Sequence, residues 1–346
     1  MLDTIPRSRD SVVRVEAAVV AASLSSSLRL HELTVQTRSV VETIDTNELD
    51  IRGESKLLLA KAMTNYHARE NQNGLPAART AAQLLRAAGA TDTTFVQIHV
   101  GLGAIACASG AMVDAIEPLE TAFQAASRLD NSPLMALAAL NLTLCHRRLG
   151  HPQLHETWAS TTWRLSKHTP PGSYERLHAA ANCALAQISL GQPSRAIEAL
   201  GWLKTTINEV SLPWVRQAGF LYVAEVLWLL GDQTHALAAV EEARKVSTEA
   251  LTIGLVGSFV TWSVRLLLRR HDLRKALSLA ERWYQELDRL DLIDKVEVLL
   301  ALAEIRSRMA TSDRHLTERA LTLIATLPIG YSQQFSQLGL LPDGGP

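Results

Sequence analysis

Residues 221–243 of this 346-residue chain read LYVAEVLWLLGDQTHALAAVEEA, and this stretch decides the fold. An apolar helical segment runs to Leu230, a glycine at Gly231 breaks it, and a second helical segment follows. Glycine accepts the left-handed conformation that ends many helices, so the stretch reads as a helical hairpin. The same pattern recurs at residues 99–126, 139–163, 181–203 and 261–283, with turns marked by Gly110, Gly150, Gly191 and His271. Successive marks are 40, 41, 40 and 40 residues apart. A fixed period of this length is the signature of a repeat architecture.

Other positions recur with the turn mark. Five residues after it stand Ala115, His155, Ala196, Ala236 and Ala276, and twelve after it Ala122, Thr162, Leu203, Ala243 and Trp283. Seven before it stand Gly103, Thr143, Ala184, Ala224 and Val264. Small residues at these places let two helix backbones approach closely, and larger apolar neighbours fill the grooves between hairpins. One hairpin cannot bury its apolar face alone, so hairpins must stack. Working outward, KLLLAKAMTNYHARENQNGLPAARTAAQLLRAA (residues 56–88) predicts a hairpin with its turn at Asn73–Gly74. Further pairs are expected over about 10–27 with 31–44, and 292–309 with 314–326, where Asp313 suits an N-cap.

The resulting expectation is an all-α, right-handed α-solenoid of about eight antiparallel hairpins over residues 1–327, clearest over 92–290. From Pro328 the chain carries Pro328, Gly330, Gly339, Pro342, Gly344, Gly345 and Pro346, and is expected to be a loose tail over 328–346.

Composition agrees. The chain is 47% hydrophobic but only 5% aromatic, with 18 glycines and 12 prolines, a balance that favours helices over an all-β fold. Its net charge of −1 argues against a general nucleic-acid binder. Cys107, Cys145 and Cys183 are an odd set inside helical stretches, which reads as buried thiols in a reducing cytoplasm rather than a disulfide framework. Arg7 and Arg9 before an apolar stretch imitate a leader, but Arg14 and Glu16 interrupt it and the pattern continues as ordinary helix. No apolar run reaches the ~20 residues of a membrane span, so no membrane partner is expected.

The Gly–x4–Ala–x6–Ala spacing after Gly110 and Gly231, with Gly103 and Ala224 before them, resembles the tetratricopeptide repeat over about residues 55–310. The period departs from the standard 34. Repeats of about 40 residues are similar to those of kinesin light chain and of the maltose-regulator-like sensor domains of bacterial transcription regulators. The resemblance implies that first helices line a concave groove. It also implies that the residue nine before each mark faces into that groove, where Asn hydrogen-bonds a bound peptide backbone. Here those residues are Gly101, Asn141, Asn182, Tyr222 and Trp262.

Three patterns imitate other chemistry. Gly101–Ala106 matches G-x-G-x-x-A, yet the repeats place helix where a dinucleotide fold needs a strand. His146, His151 and His155 straddle a turn without the H-E-x-x-H arrangement of a zinc hydrolase, and read as exposed or capping. Arg265, Arg269, Arg270, Arg274 and Lys275 form a basic stripe of the kind solvated helix faces carry. No nucleophile elbow or phosphate loop is present, so neither an enzyme nor a cofactor or metal is expected.

The candidate groove is therefore Asn141, Arg148, Asn182, Tyr222, Glu225, Trp228, Trp262, Arg265 and Arg269. An amide suits an extended chain whose N–H and C=O alternate, arginine suits a carboxylate, and the aromatics offer walls. The expected function is capture of a protein or peptide segment in this groove. The alternatives are an effector-sensing domain of a bacterial signalling or transcription regulator, which would bind a small effector, and an enzyme whose site is not visible in sequence.

Overall fold

A computed structural model describes residues 11–28, 31–67, 71–246, 256–290, 292–309 and 314–341. Among the described residues there are seventeen α-helices and no strands. The chain divides into two compact units, Met1–Cys145 and His146–Pro346.

Unit 1 contains α1 (Ser11–Leu28), α2 (His31–Glu42), α3 (Ile51–His67), α4 (Asn71–Ala87), α5 (Thr93–Ala108), α6 (Met112–Arg128) and most of α7 (Ser132–Arg148). The first helices α1, α3 and α5 lie side by side, while α2 touches α1 and α3, and α4 touches α3 and α5. Unit 2 contains the end of α7, then α8 (Pro152–Ser166), α9 (Tyr174–Ser189), α10 (Pro193–Glu209), α11 (Pro213–Leu229), α12 (Gln233–Lys245), α13 (Val256–Arg269), α14 (Leu273–Gln285), α15 (Leu292–Arg308), α16 (Arg314–Ile324) and α17 (Ile329–Gln337). Here α9, α11, α13 and α15 form one layer, and α10, α12 and α14 each fit between two neighbours of that layer. In each unit a second helix thus covers the seam between its own first helix and the next, which is how stacked hairpins bury a face none could bury alone.

The repeat marks are the helix stops. Gly110, Gly150, Gly191, Gly231 and His271 all have positive φ, from +58° at His271 to +86° at Gly231. At each one the next residue donates its backbone N–H five residues back, as in Asp232 N to Leu227 O and Asp272 N to Leu267 O, both 2.9 Å. This is the hydrogen-bond pattern of a Schellman stop. The small positions are close-approach points: Ala115, Ala196, Ala236, Ala276, Ala184 and Ala224 have no exposed surface. A Cβ on Gly103 would stand 2.3 Å from Leu119 Cγ, so α5 and α6 meet there without room for alanine.

Several expectations about the helices need correction. Asn73–Gly74 lies in the first turn of α4 rather than in a turn between helices, and Pro76, with its fixed φ, continues that helix. His146 and His155 are buried, not exposed or capping, His155 because it occupies an alanine position of the repeat. Residues 329–337 of the expected tail are the helix α17, held by buried Tyr331, Phe335 and Leu338. Asp313 and residues 342–346 lie outside the described residues. Gly101–Ala106 sits inside α5, so no strand precedes it.

Candidate functional site

The sequence-derived groove residues do not form a single cluster. Asn141 lies at the end of unit 1, where its Nδ2 donates to Leu137 O at 2.9 Å. All the others belong to unit 2, and three of them, Arg148, Glu225 and Arg265, meet α17 or the residue that caps it.

Beneath that face lies a buried polar relay. Asn182 on α9 is fully buried, and both ends of its amide are used within the protein. Its Nδ2 donates to His178 Nδ1 at 2.7 Å and to His178 O at 2.9 Å, while its Oδ1 lies 3.4 Å from His155 Nε2. The expectation that Asn182 meets a bound peptide is thereby corrected. An imidazole in place of the repeat's alanine needs a buried partner, and Asn182 supplies it. Burial pushes His155 down to about 3, with Arg147 and His146 adding to the depression, so the ring is neutral. Tyr222 stands edge-on to His178 at 5.3 Å between ring centres, and burial drives its phenol well above the ordinary range.

Above the relay are the charged groups. Arg147, at the end of α7, donates to Glu225 Oε1 on α11 at 2.6 Å, and both side chains are largely buried. Glu225 Oε1 also accepts from Gln334 Nε2 of α17 at 3.0 Å. The guanidinium of Arg148 lies 5.4 Å from the centre of the Tyr331 ring.

Arg265 on α13 is the most unusual group of the face. It is 8% exposed, yet its guanidinium stands 4.5 Å from the Trp228 ring centre and 5.1 Å from that of Trp262. The two indoles meet edge to face at 5.4 Å. Such contacts are worth about 2 kcal/mol each when the cation is desolvated. Nη2 donates to Leu338 O at 2.5 Å, whereas Nη1 is buried and has no acceptor. A guanidinium held in an aromatic cage with a donor to spare is equipped to grip a carbonyl or carboxylate. Trp262 is itself buried, so it acts as a wall of the cage rather than an open surface. Arg269, one turn on, is exposed and stands apart from the cage contacts.

Reasoning from sequence missed Arg147, Tyr331, Gln334 and Leu338. The 331–335 and 334–338 spacings were visible, but no repeat mark flagged them. Among the described residues no group of three or more His, Cys, Asp or Glu could hold a metal ion, and no helix is long and apolar enough to cross a membrane. Burial raises Cys183 to about 12, so that thiol is inert.

No protein-family model matches the chain, and no curated protein matches it in sequence. Solved structures do match. The apo quorum sensor NprR of B. thuringiensis aligns with a TM-score of 0.63 at 9% identity, over 93% of this chain and 90% of that one. The fold is TPR-like. NprR with its cognate peptide NprX aligns with a TM-score of 0.54 at 9% identity, over 94% and 99% of the two chains. The Rap conjugation gene regulator of plasmid pLS20 with the Phr* peptide aligns with a TM-score of 0.53 at 10% identity, over 96% and 97%. At these identities the likeness is one of TPR-like architecture.

Proposed function

We propose that this protein is a TPR-like regulatory module that acts in the cytoplasm by binding a peptide or protein segment on the first-helix face of unit 2, without catalysis. One observation carries the reading: the cage of Arg265, Trp228 and Trp262 already grips a main-chain carbonyl, that of Leu338. Recognition of backbone by a desolvated guanidinium needs no particular partner side chain there, so it supplies affinity. Arg148 and the Arg147–Glu225 pair, lying beside it, supply selectivity for amide and aromatic groups. Asn182, His178 and Tyr222 hold the floor of the site. Structural neighbours of the same fold that were solved with the peptides NprX and Phr* support a peptide as the ligand class.

The test is a panel of synthetic peptides and small metabolites screened by thermal shift, followed by fluorescence polarisation with wild type and Arg265→Lys. A peptide should raise the melting temperature, because a ligand of the folded state stabilises it by mass action. Its affinity should fall at least tenfold in Arg265→Lys, where the charge remains and the fork is lost. A small molecule that stabilises the protein when no peptide does would establish the effector-sensor alternative instead.

A further inference from the structure

Residues 329–341 engage more of unit 2 than the closing of a hairpin array requires. A helix that only covers the end of an array packs on its last hairpin, as Tyr331 and Phe335 of α17 do by joining the buried apolar core of α13 to α16. But α17 also begins on the stop of α7. A Cβ on Gly330 would stand 2.3 Å from Arg148 O and 2.5 Å from Arg147 O, and one on Gly150 would meet Gln333 Oε1 at 2.9 Å. Gln334 then reaches Glu225 on α11, and Leu338 O reaches Arg265 on α13. Residues 330, 334 and 338 are spaced four apart and so share one stripe of the helix, and that stripe meets α7, α11 and α13 in turn. This is how a helical ligand lies in a groove. The segment also has a ligand's composition: residues 320–342 carry no charged side chain, so the arginines and Glu225 are met by amides, carbonyls and an aromatic ring.

We propose that residues 329–341 are a tethered occupant of this face. A partner segment of the same chemistry, an uncharged amphipathic helix with amide and aromatic groups four residues apart, competes with it for Glu225 and the Arg265 cage. The partner half of this statement rests on the peptide-binding reading above; the occupant half does not. A tethered segment acts at an effective concentration in the millimolar range, so an outside peptide binds weakly until the tether is released. Its apparent affinity then rises in proportion to the fraction of open groove.

The experiment uses the full chain and two variants. Gly330→Ala adds a methyl against the α7 carbonyls, while alanine favours helix over glycine, so the seat of α17 is disturbed and its helicity is not. Gln334→Glu sets a second carboxylate against Glu225. The probe is an acetylated, amidated, fluorescein-labelled peptide with the sequence of residues 328–341, PIGYSQQFSQLGLL. It should bind both variants at least tenfold more tightly than wild type in polarisation. Amide exchange over 329–341 should accelerate in both while exchange in α9, α11 and α13 stays slow. Adding Glu225→Gln to Gln334→Glu should restore wild-type behaviour.

Equal or absent probe binding in all three proteins overturns the proposal. So does exchange over 329–341 that stays as slow as in α11 in both variants, or loss of helical circular dichroism by both, since each makes the segment a fixed part of the fold. The two readings fail separately. A foreign peptide that binds through Arg265 while 329–341 stays protected leaves peptide binding intact and removes the tethered occupant. A probe that binds the variants while no foreign peptide competes does the reverse.

Discussion

His155 Nε2 lies 3.4 Å from Asn182 Oδ1, both side chains wholly inside unit 2. One repeat has placed an imidazole where the others carry alanine, and its neighbour has placed an amide where it can answer. Replacing Asn182 with alanine leaves a buried ring nitrogen without its acceptor, which typically costs ~1–3 kcal/mol. Urea denaturation of Asn182→Ala should show that loss, whereas an asparagine that merely faced a groove would be silent. In the double variant with His155→Ala the two effects should fall short of additivity by 0.5 kcal/mol or more, on the order seen for residues in contact. Strict additivity would mean the pair is not coupled.

The same ring gives a pH dependence. Its folded value is about 3 against an ordinary 6.5, so between these limits the unfolded chain binds the extra proton. Stability from this group is complete above about pH 6.5 and is lost as pH falls toward 3, by at most ~1.4 kcal/mol per unit. Burial also lowers His99 and His146, and both act with the same sign. Unfolding free energies measured at pH 7, 6 and 5 should therefore decline, and His155→Gln should decline less steeply than wild type. Parallel slopes would show that His155 titrates normally in the folded protein.

His271 holds a left-handed backbone, φ +58°, at a stop where the other four repeats use glycine. A side chain in that region costs roughly 1–2 kcal/mol, part of which is offset by the greater freedom glycine has when unfolded. The His271 side chain is exposed, so little packing is lost on its removal. His271→Gly should stabilise the protein by about 0.5–1 kcal/mol in chemical denaturation, and Gly231→Ala, at φ +86°, should destabilise it by a similar amount. Loss of stability in His271→Gly would mean the imidazole makes a contact worth more than the strain.

Gly103 and Leu119 mark a close approach of α5 and α6. Gly103→Ala forces Leu119 from its place, and overpacking of this kind costs ~1–3 kcal/mol. Leu119→Ala, which opens the space, should be less harmful in the Gly103→Ala background than in wild type. The comparison is read from midpoints of thermal unfolding.

Much of the molecule was legible in the chain because the deciding features are local. A helix stop depends on which residue tolerates positive φ, and a close approach on which residue lacks bulk. Both are properties of one position, and both recur with the period, so Gly110 to His271 could be read in order and the hairpins counted. The binding face is different. Trp228, Trp262, Glu225 and Arg265 stood out by type and spacing, but their partners did not. Asn182 looked like a groove residue because nothing local reveals that His155, 27 positions earlier, turns toward it.

Glu225 meets Gln334 across 109 residues, and Arg265 meets Leu338 across 73. No periodicity connects such pairs, and the glycines and prolines around residues 328–346 argued for a loose segment. The sequence by itself determined the stacked-hairpin fold, because each stop and each small residue acts on its immediate neighbours. Only the tertiary structure decided what lies on the first-helix face of unit 2. That occupant is selected by groups distant in the chain, which desolvate one another only once the helices have packed.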